Sequence, residues 1–130
     1  MGASKELFGI LHLIDDIGTL KYRKRLQKLV LVGKLEFKYP FSFAYEKYLF
    51  GPYSLELQNY VDKLVLDGLV KEISKENFYE YELSPTGKLV LDKMKKEIPN
   101  EIIQKIDELV ANYGNMALPK LVQKAKELYQ

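Results

Sequence analysis

The sequence predicts an α+β fold, mainly helical, with a helix-turn-helix core and a two-stranded β-hairpin following its third helix. Three observations carry this. Apolar residues recur at helical spacing in separate segments, the period shortens to two between residues 69 and 83, and turn-forming residues stand between the segments. A length of 130 residues fits one hydrophobic core, so one domain is expected over residues 1–130, with a core over 1–98 and a C-terminal helical pair over 99–130.

Leu7, Ile10, Leu11, Ile14 and Ile17 form the first stripe, with Lys5, Glu6, Asp15 and Asp16 off it and Gly18 as a stop. Thr19 is expected to cap helix 2, whose stripe of Tyr22, Leu26, Leu29, Val30, Gly33 and Phe37 runs to about residue 37. Pro40 requires that helix to have ended. The aromatic tract Phe37, Tyr39, Phe41, Phe43, Tyr45, Tyr48, Phe50 and Tyr53 alternates in part, as an extended segment or short strand does, and Gly51-Pro52 is expected to turn. Ser54 stands ready to cap helix 3, which carries Leu55, Leu57, Val61, Leu64 and Val65 and closes at Gly68.

Leu69–Ile73 and Phe78–Leu83, separated by a polar turn at Ser74–Asn77, read as a β-hairpin. Ser84-Pro85 pairs a capping residue with a first-turn proline, and Val90, Leu91, Met94 and Ile98 give the stripe of helix 4. After Pro99-Asn100 come two more amphipathic helices, one with Ile102, Ile106, Leu109, Val110 and Tyr113, the other with Leu118, Leu121, Val122, Ala125 and Leu128. Two helices, a third helix and then a hairpin is the layout of a winged helix-turn-helix, with helix 3 as recognition helix and the hairpin as wing.

Composition excludes several classes. The absence of cysteine removes a disulfide framework and thiolate metal sites and points to a reducing cytosol, so a cytoplasmic location is expected. The N-terminal Met1-Gly2-Ala3-Ser4-Lys5-Glu6 lacks a signal-peptide pattern, and no apolar run is long enough to span a bilayer. Net charge is only +2, but unevenly spread: residues 1–40 hold eight Lys/Arg against four acids, residues 41–83 four against eight.

Leu26-Gln27-Lys28-Leu29, Gly51-Pro52-Tyr53-Ser54 with Leu57, Asp67-Gly68-Leu69-Val70 and Tyr81-Glu82-Leu83-Ser84-Pro85-Thr86-Gly87 together resemble the small YwgA-type winged-helix proteins of archaea and bacteria. These are in turn similar to phage-associated antitoxin domains of the Panacea type. Tyr113-Gly114-Asn115 and the helix after it look like the closing helical pair of the same proteins, while Phe50 stands where a tyrosine often precedes the Gly-Pro pair. The Gly-Leu-Val hairpin ending in Leu-Ser-Pro-Thr-Gly also occurs in MarR-like and PadR-like regulators. The resemblance implies a winged-helix fold and little about chemistry.

The sharpest local signal is cationic. Lys21, Arg23, Lys24, Arg25 and Lys28 crowd the start of helix 2, where positive charge opposes the helix dipole; a phosphate backbone would explain them, and so would a solvated face balanced by acids. On helix 3, Gln58 and Asn59 could pair with adenine and Lys63 with phosphate, but Glu56 and Asp62 would be repelled by a duplex. The aromatic tract reads first as core packing with tyrosine hydroxyls reaching solvent, and second as a protein-binding surface in which Tyr45, Tyr48 and Tyr53 make contact.

His12 is the sole histidine and is expected to be half-buried rather than a ligand; no metal site or cofactor is predicted. Asp15 and Asp16 diverge by about 100° on a helix and cannot act as a carboxylate pair, so they are expected to cap helix 1 or pair with Lys/Arg. No phosphate loop and no nucleophile with its base is legible, so no enzyme is expected. The first expectation is a regulator that binds double-stranded DNA; the second is a protein-interaction module, antitoxin-like or adaptor, for a basic partner. Apolar stripes on the last two helices either cover the core or form a homodimer interface.

Overall fold

Residues Phe8 to Ile14 are buried without a break, so the first helix is wrapped on several sides rather than along one stripe. This is α1, Lys5–Ile17, in a computed structural model that describes residues 4–49 and 51–129; Met1–Ala3, Phe50 and Gln130 lie outside the described residues. The Ser4 hydroxyl accepts from the Leu7 N–H at its start, and Gly18, at φ 90°, ends it by donating to the Ile14 carbonyl. α4 (Pro85–Lys95), α5 (Asn100–Tyr113) and the sheet pack around α1.

Thr19 does not cap the next helix. Its hydroxyl donates to the Glu82 carboxylate, and Leu20–Lys21 form a short strand, β1, paired antiparallel with Tyr81 and Glu80. α2 runs Arg23–Leu35, entered through Tyr22 at φ 74° with no side-chain cap, and ends two residues before the expected Phe37. Its end is fixed by the reversal at Lys38, φ 56°, after which the Tyr39 N–H donates to the Gly33 carbonyl.

The aromatic tract alternates in burial without forming a ladder. Tyr39, Phe41 and Phe43 are buried while Pro40, Ser42 and Ala44 are exposed, and no strand spans residues 37–45. Charged side chains replace the missing strand partner: Glu6 accepts from the Ser42 N–H, Glu56 from the Ala44 N–H, and Lys34 donates to the Phe43 carbonyl. The rings pack against one another, Tyr39 and Phe41 tilted with centroids 4.4 Å apart and Phe43 edge-on to Tyr60 at 5.3 Å. Tyr39 and Phe41 press on α1 at Gly9, where an added Cβ would lie 2.6 Å from both rings.

Gly51-Pro52 is strand rather than turn. β2 (Glu46–Tyr48) and β3 (Gly51–Tyr53) pair antiparallel, Tyr48 opposite Gly51 and Lys47 opposite Pro52, so the reversal falls between Tyr48 and Gly51. α3, Leu55–Leu66, starts where expected, with the Ser54 hydroxyl accepting from the Leu57 N–H. β4 (Val70–Ser74) and β5 (Tyr79–Leu83) form the predicted hairpin, and β1 adds a third strand that the sequence reading missed, in the order β1-β5-β4.

Ser84 caps α4 with Pro85 in its first turn, and Gly87 lets the helix lie against the Leu69 carbonyl. The stripes of α5 and α6 (Leu118–Leu128) face inward. α5 packs on α1 and α2, α6 on α2 and β3, and Ile106, Leu109 and Leu121 join the same apolar cluster as Phe8, Leu29 and Tyr81. No helix among the described residues is long and apolar enough to cross a membrane.

Candidate binding cleft and the exposed face of α3

Three of the cationic candidates, Arg23, Lys24 and Lys28, and two of the aromatic ones, Tyr48 and Tyr53, far apart in sequence, line one concavity. A cleft of about 480 Å³ lies between the first turns of α2 and α3 and the β3 strand, lined by Arg23, Lys24, Lys28, Gln58, Tyr48 and Tyr53 together with Gln27, Gly51 and Leu55. The pairing of β3 with β2 brings Tyr48 over the cleft, and its ring meets Tyr53 edge-on at 5.6 Å.

Most polar groups in its walls are already bonded within the fold. Gln27 and Ser54 exchange two hydrogen bonds of 2.8 Å, the side-chain amide donating to the Ser54 carbonyl and accepting from its N–H. The Gln58 amide donates to Asp62 and, at 3.4 Å, to the Tyr81 hydroxyl, so it is unavailable to a base edge. Lys28, only 3% exposed, donates to the Pro52 carbonyl. Burial, with the nearby Lys24 and Lys126 charges, pushes its ammonium down to about 8. What remains is an apolar wall with positive charge at the rim, and among the described residues no acid lines it.

The expected cation cluster is thus dispersed. Arg23 pairs with Glu72 on β4 at 3.1 Å, donates to the Tyr81 hydroxyl and lies 3.8 Å over the Tyr79 ring. Arg25 donates to the Met116 carbonyl at 2.7 Å and fastens the α5–α6 connection to α2. Lys21 and Lys24 are exposed. Arg23 is thus balanced by an acid, Glu72 of the hairpin.

Of the tyrosines, Tyr48 is 52% exposed and Tyr53 half-buried, but Tyr45 is structural. Its hydroxyl donates to the Gln27 carbonyl instead of reaching solvent, burial pushes it above the usual phenol range, and its own carbonyl accepts from Tyr129. The Tyr39 hydroxyl likewise turns inward, to the Lys5 carbonyl.

On α3 the outward face carries Leu55, Glu56, Asn59, Asp62, Lys63, Leu66 and Asp67. Lys63 is paired with Asp67 at 3.3 Å, and Leu55 and Leu66 are 60% and 87% exposed. Acid and leucine therefore stand where a duplex-reading helix would present donors.

His12 is buried, not half-buried, and its Nε2 faces two carboxylates, Asp107 at 2.7 Å and Asp16 at 3.5 Å. Asp16 thus shares a hydrogen bond with Asp107 of α5, where a Lys or Arg partner was expected. No local signal could reveal a partner 95 residues from His12.

A family model described as a domain of unknown function, DUF4364, matches residues 53–126. The chain is 30% identical over 100 residues to the uncharacterized protein YwgA of Bacillus subtilis strain 168, a match covering 74% of this chain and 60% of that relative. The chain therefore spans less than two thirds of the relative's length. No solved structure matches. With more than half of its residues inside the matched segment, the chain belongs to the DUF4364 family.

Proposed function

We propose that this chain is a non-enzymatic, winged-helix-type interaction module that takes an aromatic or aliphatic anchor of an acidic protein segment into the cleft between α2, β3 and α3. The winged-helix reading is supported by α3 running into the β4–β5 hairpin and by β1 joining it in the order β1-β5-β4. In that reading the 36–53 segment lengthens the turn between the second and third helices, and the cleft is the hollow it creates.

The observation that carries the binding reading is the state of the cleft walls: polar groups internally satisfied, apolar surface open beside exposed Tyr48 and Leu55, and Arg23 and Lys24 at the rim. An apolar anchor gains from desolvation there and an acidic flank from the rim charges. This partner differs from the basic one suggested by the charge of the middle segment, because the concave part of the surface is cationic. Binding of double-stranded DNA, the other reading, draws support from exposed Lys21 and Lys24, and is opposed by the acids on α3.

Selection of a displayed random-peptide library tests it. Expected is enrichment of acidic peptides with an aromatic or leucine anchor, whose binding is lost in a Tyr48→Ala/Leu55→Asp variant. Absence of any enrichment, together with saturable, salt-weakened binding of labelled duplex that Lys21→Glu/Lys24→Glu abolishes, replaces it with the DNA-binding regulator.

A further inference from the structure

We infer that His12, Asp16 and Asp107 form a site for one divalent ion of the zinc class, bridging α1 and α5. His12 and Asp16 are one helical turn apart on α1 and so share a face, and Asp107 reaches the same point from α5. The three ligand atoms lie within 4.8 Å of one another. An ion with bonds of about 2.0–2.2 Å to nitrogen and oxygen holds tetrahedral ligands about 3.3–3.5 Å apart, so the His12–Asp16 separation of 3.5 Å already fits and the His12–Asp107 separation of 2.7 Å has to open by less than about 1 Å.

The donor set selects the ion. One imidazole with two carboxylates suits zinc, cobalt or manganese, whereas calcium and magnesium prefer oxygen alone. Two carboxylates balance a 2+ charge, and three protein ligands leave at least one position for water. The Asp107 side chain is half-exposed, which gives the ion a path from solvent.

Two other charges act on the site: Asp15 raises its negative potential, and Lys95 on α4 adds a positive charge that opposes a bound cation. His12 Nδ1 has no hydrogen-bond partner, so the site lacks the outer contact that orients most metal-bound histidines. Loss of such a contact costs roughly 10- to 100-fold in affinity, which makes this an exchangeable site rather than a permanent staple.

The chain has a single histidine, so its imidazole reports without ambiguity. Zinc chloride titrated into the full chain near pH 7.5, followed by calorimetry and by the imidazole ¹H–¹⁵N signals, is expected to show one equivalent bound and a large Nε2 shift. Asp107→Asn, checked for folding by circular dichroism, is expected to weaken binding by more than about tenfold, and Lys95→Met to tighten it. Imidazole signals that stay still while zinc binds, or Asp107→Asn binding as tightly as the parent, overturn the inference. Should Asp107→Asn fail to fold, Lys95→Met decides: tighter zinc binding supports the site, unchanged binding overturns it.

Discussion

The Lys28 ammonium on α2 donates a 2.5 Å hydrogen bond to the Pro52 carbonyl on β3, and so ties the cationic helix to the strand that forms the cleft wall. Its proton is held less tightly in the folded chain, at about 8 against an ordinary 10.5. Between these values the unfolded chain binds more protons than the folded one, so stability rises with pH across that window. Urea unfolding at pH 7, 8, 9 and 10 is expected to show a rise of roughly 1–3 kcal/mol, absent in Lys28→Met. Above pH 10 the sign reverses, because Tyr39 and Tyr45 are held protonated only while folded. A profile that is flat to pH 10 in the parent chain contradicts the buried ammonium.

Gly9→Ala is expected to destabilise by roughly 1–3 kcal/mol in thermal or denaturant unfolding, since its Cβ meets two buried rings that cannot both withdraw. Gly18→Ala faces open space, so its cost, more than about 1 kcal/mol, comes from the positive φ alone and leaves the rings undisturbed. Unchanged stability in Gly9→Ala would refute the packing of Tyr39 and Phe41 on α1.

Arg25→Ala should lower stability by roughly 1–3 kcal/mol, because it removes the donor to the Met116 carbonyl and loosens α6 from α2. Lys24→Ala, on the exposed rim, should stay within about 0.5 kcal/mol of the parent. The consequence for binding work is direct: an Arg23→Glu/Arg25→Glu pair would damage the fold along with any anion contact, whereas Lys21→Glu/Lys24→Glu leaves the framework intact.

Gln27→Ala leaves the Ser54 N–H and carbonyl without their partner beneath the α3 N-terminus, at a cost of roughly 1–3 kcal/mol. Hydrogen exchange localises the effect: the Ser54 amide should lose protection first. Protection unchanged at Ser54 in Gln27→Ala would mean that this reciprocal pair does not hold α3 to α2.

Sequence periodicity sufficed for the six helices among the described residues, the β4–β5 hairpin and the caps at Ser54 and Ser84, because each is set by side chains within a few residues of one another. Arg23, Lys24, Lys28, Gln58, Tyr48 and Tyr53 are legible singly as candidates, but Gln27 and Leu55 carry no such local signal, and the convergence is not visible: Tyr48 lines the cleft with Arg23 and Lys24 because β2 pairs with β3, and a two-residue strand such as β1 carries no period to read. Alternation in residues 39–44 correctly marked which rings are buried, yet the ladder it suggests is replaced by Glu6, Glu56 and Lys34, whose reach to the backbone depends on how α1, α2 and α3 pack. The fate of each cation was likewise a tertiary matter. Lys28 and Arg25 are indistinguishable from Lys24 in local pattern, and only the placement of the Pro52 and Met116 carbonyls turned two of the three into parts of the framework. Local chemistry determines where chains coil, turn and start helices; which charges face water and which face each other is decided by distant backbone brought near, and no window of neighbouring residues contains that information.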